Sequence, residues 1–296
     1  MAVTGIDHVM FAVPSLPAAE EAFAGALGLH TGTGSEHPDW GTRNAVFRFR
    51  DTYLELITVA DPPRAGARPA GRRMLDVIGD GGGWLAFVLS ATGLVDTVAA
   101  LRADGLDLAE PLSGESVRAD GTRRRWWVAG HGESFRTGAL PSLIEYEGEH
   151  PTAEPPEAGS PAAYVDGIAG VDVAVPDLAE AVGRYALLFG GDPDPGGDDL
   201  LAADTATWRL ADGRTVRLLA PSRPHRASAL DTYLDRRGQG LFGVALAVRR
   251  PDAVAAALAR RGAAAPPTGR PGEVLVDPTR TLGARVSLLA TSPAVR

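Results

Sequence analysis

The chain contains no cysteine in its 296 residues, which excludes disulfides, thiolate metal sites and cysteine nucleophiles. It also lacks any apolar run of the roughly 18–20 residues that cross a bilayer. Its first residues enter a strand at once, without the basic and apolar regions of a signal peptide, so a cytoplasmic protein is expected. A basic surplus is missing too: 29 Lys and Arg stand against 37 Asp and Glu, a formal net charge of −8. That balance argues against a nucleic-acid or anionic-membrane surface. The one basic run, Arg123-Arg124-Arg125, reads as a solvated strand end before Trp126-Trp127. No Gly-rich phosphate cradle, nucleophile elbow or His-Glu-x-x-His helix occurs.

What the chain does contain is a duplication. Gly5-Ile6-Asp7-His8-Val9-Met10-Phe11-Ala12-Val13-Pro14 returns as Gly167-Ile168-Ala169-Gly170-Val171-Asp172-Val173-Ala174-Val175-Pro176. Both copies lead into amphipathic helices, which end at Leu27-Gly28 and Phe189-Gly190. The expected fold class is α+β: four βαβββ modules in two pairs, forming cup-shaped antiparallel sheets. Residues 1–150 form the first pair, 151–165 a Pro-rich linker, and 166–296 a second, degenerate pair. Predicted strands of the first half cover 6–13, 44–50, 52–59, 84–89, 125–129 and 142–147. Predicted helices cover 17–27, 72–78 and 94–103, and the second half repeats the plan.

Period-two alternation places His8 and Met10 on one face of the first strand and Val9 and Phe11 on the other. The apolar face suits packing under the helices, which leaves His8 on the concave side. The same reasoning sends Glu55 of Tyr53-Leu54-Glu55-Leu56 to the concave side, and Glu145 of Leu143-Ile144-Glu145-Tyr146 with it. One imidazole and two carboxylates from three strands meet only if the sheet curls. Together they would balance a divalent cation and leave positions for water and substrate, a donor set that suits Fe, Mn, Ni or Zn. In the second copy His8 becomes Gly170, Glu55 becomes Arg217 and Glu145 becomes Ser287, while the apolar frame persists. Joint loss is what a shared site predicts.

The loop His37-Pro38-Asp39-Trp40-Gly41-Thr42-Arg43-Asn44, the strands Tyr53-Leu54-Glu55-Leu56 and Leu143-Ile144-Glu145-Tyr146, and His150-Pro151 carry a resemblance. The first half resembles the glyoxalase-like domain family of the vicinal oxygen chelate superfamily, which includes glyoxalase I and the extradiol dioxygenases. The resemblance implies metal ligands on the first and last strands of each module. His8, Glu55 and Glu145 fill three such positions, and the fourth aligns with Trp84. His37 is the candidate to replace the missing ligand or to support Glu55. Thr42, Arg43 and Asn44 are expected at the substrate. Trp84 and Trp127, with Trp40 and Trp126, are expected to floor an apolar pocket. His131-Gly132-Glu133 is a further candidate for a lid or base. His225 is assigned to a helix end.

The implied activity is that of a divalent-metal-dependent lyase or isomerase on a small oxygen-bearing substrate, with Glu145 or Glu55 as base and His8 staying on the metal. The alternatives are a metal-dependent dioxygenase and a non-catalytic protein that sequesters an antibiotic or metabolite. A monomer or homodimer is expected.

Overall fold

In the computed structural model, the described residues are 3–148, 159–222, 228–265 and 272–290. The first strand, β1 (Val3–Ala12), runs into α1 (Leu16–Leu27). Ser15 caps that helix by accepting the Ala18 N–H, and Pro17 sits in its first turn. Gly28 ends it in the left-handed conformation, φ +65°, which a side chain rarely adopts. The chain continues through β2 (Gly32–His37), β3 (Thr42–Arg48) and β4 (Tyr53–Val59), then two helices, α2 (Pro62–Gly66) and α3 (Pro69–Gly79). A second module follows: β5 (Gly83–Ala91), α4 (Leu94–Ala103), β6 (Leu112–Arg118), β7 (Arg123–Ala129), the short α5 (Glu133–Arg136) and β8 (Ser142–Tyr146). Sequence periodicity missed β2 and β6, which are short of large apolar residues and carry Gly, Ser and Glu instead.

These eight strands close into a barrel in the order β1-β4-β3-β2-β6-β7-β8-β5, with β5 returning to β1. The β2–β6 seam holds through the pairs Ser35–Arg118 and Glu36–Val117. The second half repeats the order as β9 (Val165–Ala174), α6 (Leu178–Phe189), β10 (Asp194–Asp198), β11 (Ala203–Arg209) and β12 (Thr215–Pro221), then α7 (Ala229–Arg237). It ends with β13 (Gly240–Val248), α8 (Pro251–Arg260), β14 (Glu273–Leu275) and β15 (Val286–Ala290). This sheet stays open, with seven strands in the order β10-β11-β12-β9-β13-β15-β14. The fourth module therefore has three strands among the described residues, one fewer than the duplication predicts. Most of the expected linker, 149–158, lies outside the described residues.

Alternation places Val9, Phe11, Leu54 and Leu56 outside the barrel, in the apolar core with Phe23 and Leu27 of α1. One continuous apolar core runs through both halves. Polar ties cross the same boundary: Arg237 donates to the Gly82 carbonyl at 2.7 Å, and the Ile168 N–H donates to Thr52 Oγ1 at 3.0 Å.

One irregularity sets the positions of Asp7 and His8. On β1, Ile6 pairs with Leu89 and His8 with Val88, so Asp7 is an extra residue, a β-bulge. The same bulge recurs on β9, where Ile168 pairs with Leu246 and Gly170 with Ala245, leaving Ala169 extra.

Candidate functional site

The barrel interior holds a cavity of about 120 Å³. Strand direction divides its lining into three levels. At one end stand Arg48, Tyr53, Arg118, Arg124 and Tyr146; in the middle are His8, Asn44, Glu55 and Trp126. At the other end Trp40, His131 and Phe135 meet Ala70 and Met74 of α3, which covers the opening with apolar groups.

His8 is buried, and its ring stacks on Tyr53 with centroids 4.3 Å apart and planes 12° from parallel. Its Nδ1 donates to Asp7 Oδ1 at 2.6 Å, and its Nε2 lies 3.5 Å from Glu55 Oε2. Simple alternation would send Asp7 to the outer face; the bulge instead brings it beside the residue it follows. Asp7 is only 1% exposed. It accepts from Tyr146 Oη at 3.1 Å and from Ser90 Oγ at 3.3 Å, and Tyr53 Oη lies 2.8 Å from Tyr146 Oη. Burial pushes both phenols well above their ordinary pKa, so they remain protonated donors. With Tyr146 donating to Asp7, Tyr53 donates to Tyr146, and the chain of O–H groups ends on the carboxylate that fixes His8.

Glu55 is fixed from the other side. Its Oε1 accepts from Asn44 Nδ2 at 2.6 Å, while Asn44 Oδ1 accepts from the Ser35 N–H and hydroxyl, both at 2.9 Å. His37 Nδ1 lies 2.9 Å from Thr42 Oγ1, and its Nε2 is 3.5 Å from Asn44 Nδ2. Burial lowers the His37 pKa, so its neutral ring supports Asn44. The turn that reverses the chain here needs Gly41 at φ +65°, where a Cβ would meet the Asp61 carbonyl at 2.7 Å. His37, Thr42 and Asn44 line the cavity, and Trp40 with them. Arg43 points outward and is exposed.

Glu145 departs from the expectation. Ile144 and Tyr146 face the cavity, and Glu145 shares the outer face with fully buried Leu143. Its two carboxylate oxygens accept the N–H groups of Gly93 and Leu94 at 2.8 and 2.9 Å, closing the N-terminus of α4. The reading of β8 failed because either alternate set is apolar on one side, and the carboxylate's task lies beyond the sheet. Replacing Glu145 with alanine is expected to cost about 1 kcal/mol, the worth of a lost helix cap. Urea unfolding checks this, and ligand affinity of the cavity should not change.

Trp84 and Trp127 also fall outside the cavity. Trp84 packs edge-on against Phe11 in the outer core, with centroids 5.0 Å apart. Trp127 is 40% exposed on the outer face of β7. The same alternation corrects the basic run: Arg123 and Arg125 turn outward to pair with Glu115, whereas Arg124 turns inward, its guanidinium 3.6 Å from the centroid of the Tyr146 ring. His131 lines the cavity between Trp40 and Phe135, both edge-on to its ring. Neither of its ring nitrogens has a hydrogen-bond partner among the described residues. Burial lowers its pKa to about 4. His150 and His225 lie outside the described residues.

A divalent ion was expected at His8, Glu55 and Glu145. Among the described residues no group of three His, Asp or Glu side chains converges on a point that could hold one. His8 and Glu55 supply two donors, and Glu145 is engaged at α4; catalytic metal sites of this donor chemistry hold three protein ligands. The residues present do not fit the expected centre.

Asp7, Tyr53 and Tyr146 escaped the sequence reading. The signal was available in the duplication: Asp7 becomes Ala169, Tyr53 becomes Thr215 and Tyr146 becomes Leu288, so they vanish with His8. In the second half Arg217 takes the Glu55 position and makes a two-pronged ion pair with Asp172 at 2.8 and 2.6 Å.

No curated protein matches the chain. Among solved structures, a hypothetical protein from Staphylococcus aureus is similar at a TM-score of 0.61 and 12% identity, covering 97% of this chain and 99% of that one. A triple mutant of 4-hydroxymandelate synthase from Streptomyces coelicolor reaches 0.70 at 15% identity, covering 98% and 93%. A fusion of a xylose isomerase-like TIM barrel with 4-hydroxyphenylpyruvate dioxygenase reaches 0.58 at 12% identity; all of this chain aligns with 50% of that one. These likenesses establish a shared fold of tandem βαβββ modules. The glyoxalase-like domain family matches residues 6–189, from the bulged first strand through α6. With most of its length covered by that match, the chain belongs to the glyoxalase-like domain family.

Proposed function

We propose that the barrel binds a small oxygen-bearing organic molecule and that His8 and Glu55 move a proton on it, the chemistry of a lyase or isomerase. The observation that carries this reading is the buried His8–Glu55 pair in the middle of the cavity, each member held by its own partner, Asp7 or Asn44. Two titratable groups facing each other inside the barrel suit general acid–base catalysis. The Asp7 carboxylate fixes the His8 tautomer with Nδ1 protonated, so that Nε2 faces Glu55 and the ligand. Asn44 anchors one Glu55 oxygen and leaves the other toward His8. The cavity volume approaches that of a pocket which takes benzene, about 150 Å³, so a ligand with one ring or an equivalent chain is the right size.

The test is exchange of carbon-bound hydrogen for solvent deuterium, followed by NMR, with a set of single-ring 2-oxo and 2-hydroxy acids. Exchange should fall about 10²–10⁴-fold in Glu55→Gln and His8→Ala, the usual worth of an acid–base residue. Ligands that bind without exchanging faster than in buffer would overturn proton transfer and leave a sequestration protein.

A further inference from the structure

The end of the barrel that α3 leaves uncovered is lined by three guanidinium groups, and the proton-transfer reading above gives them no task. Arg48 comes from β3, Arg118 from the end of β6, and Arg124 from the start of β7. All three line the cavity, and Arg118 and Arg124 also line an outer groove that continues from it. The protein as a whole is acidic, yet among the described residues none of the three pairs with a carboxylate. Their surroundings are aromatic: Arg124 lies over Tyr146, and the guanidinium carbon of Arg48 is 5.1 Å from the Tyr53 ring centroid. Nε and Nη2 of Arg124 are buried and have no hydrogen-bond partner among the described residues.

Burying guanidinium nitrogens without partners is costly, and gathering like charges adds repulsion. Other arginines of this chain show the ordinary solution: Arg217 and Arg214 are half-buried against aspartates. Arg48, Arg118 and Arg124 instead present donors toward the space through which a ligand reaches His8. Guanidinium forks are matched in geometry to oxyanions, which take paired N–H···O bonds.

We infer that Arg48, Arg118 and Arg124 form an oxyanion-binding crown that holds a carboxylate or phosphoryl group of the ligand at the open end while its apolar body enters the barrel. This rests on the barrel being the ligand chamber and adds the class of ligand: an organic anion with one charged end. The anion would neutralise the crown, and the ring or chain would lie along Trp126 with its reacting carbon near His8 and Glu55.

Calorimetry on the full chain tests this with inorganic phosphate, phenylphosphonate, benzoate and neutral benzyl alcohol. At least one ring anion should bind tenfold or more tightly than benzyl alcohol, and the stronger of the two identifies the headgroup. Arg124→Gln and Arg48→Gln should each weaken the anions about tenfold and leave benzyl alcohol unchanged. Arg118→Gln, the variant on the barrel seam, gives the same readout if a more buried change impairs folding. Equal affinity for the three ring compounds, or anion affinity indifferent to all three substitutions, overturns the crown. Phosphate that binds and is lost in the arginine variants, with no ring compound bound, would uphold the crown and sink the chamber reading instead.

Discussion

Trp84→Ala should destabilise the protein by about 3–5 kcal/mol, the usual cost of deleting a large aromatic side chain from a core. Trp84 is 6% exposed, and its ring meets Phe11 at 86°, the edge-to-face arrangement that aromatic pairs favour. Phe11 in turn leans on Phe23 of α1 with centroids 5.7 Å apart, so removing Trp84 opens a void beneath the layer that joins sheet to helix. Against a typical stability of about 5–15 kcal/mol this is a large fraction. Urea unfolding should show it as a lower midpoint with unchanged slope. Trp84→Phe should cost much less, because the indole N–H it removes has no partner among the described residues. The contrast separates a packing role from a pocket role: Trp84→Phe should bind ligands as the parent does, and reduced affinity would return Trp84 to the site.

Acid should destabilise the protein through His131. Its folded pKa of about 4 lies below the ordinary 6.5 because burial disfavours the imidazolium, with the nearby His8 and Arg68 side chains adding to the effect. Between these two values the unfolded chain binds more protons than the folded one, so stability rises with pH. The contribution of the neutral ring is complete above about pH 6.5 and is lost as pH falls toward 4. From pH 7 to pH 5 the loss is about 2 kcal/mol at 1.36 kcal/mol per pKa unit. Buried His37, also shifted downward, adds in the same direction. Denaturant midpoints measured at pH 7 and pH 5 should fall for the parent and fall distinctly less for His131→Gln. Identical slopes for the two would show that His131 is protonated as easily folded as unfolded.

The outline of the fold was legible because duplication and apolar periodicity report the same thing. Val9 and Phe11 on one strand and Leu54 and Leu56 on another mark the outer face, and the inward positions of His8 and Glu55 follow from parity. The loop from His37 to Asn44 was legible too, through its Pro38 and Gly41 punctuation. What failed was parity where it is ambiguous or broken. On β8 both faces are partly apolar, so Glu145 was assigned inward, although it serves the amide groups of α4. On β1 the bulge interrupts alternation, and no composition rule marks Asp7 as the partner of the adjacent ring. Size and aromaticity suit a pocket wall and a core equally, so they do not place Trp84. Register, which decides among these, depends on pairings between strands far apart in the chain.

The second half kept the kink in its first strand but can no longer be refitted by restoring one residue. A Cβ built on Gly170 would fall 2.2 Å from Thr215 Oγ1 and 2.7 Å from the Thr215 carbonyl, and the latter is backbone. With glycine there, the neighbouring strand lies where a side chain would have to stand. Regaining an imidazole at this position would require the main chain itself to retreat, a step no single codon change supplies.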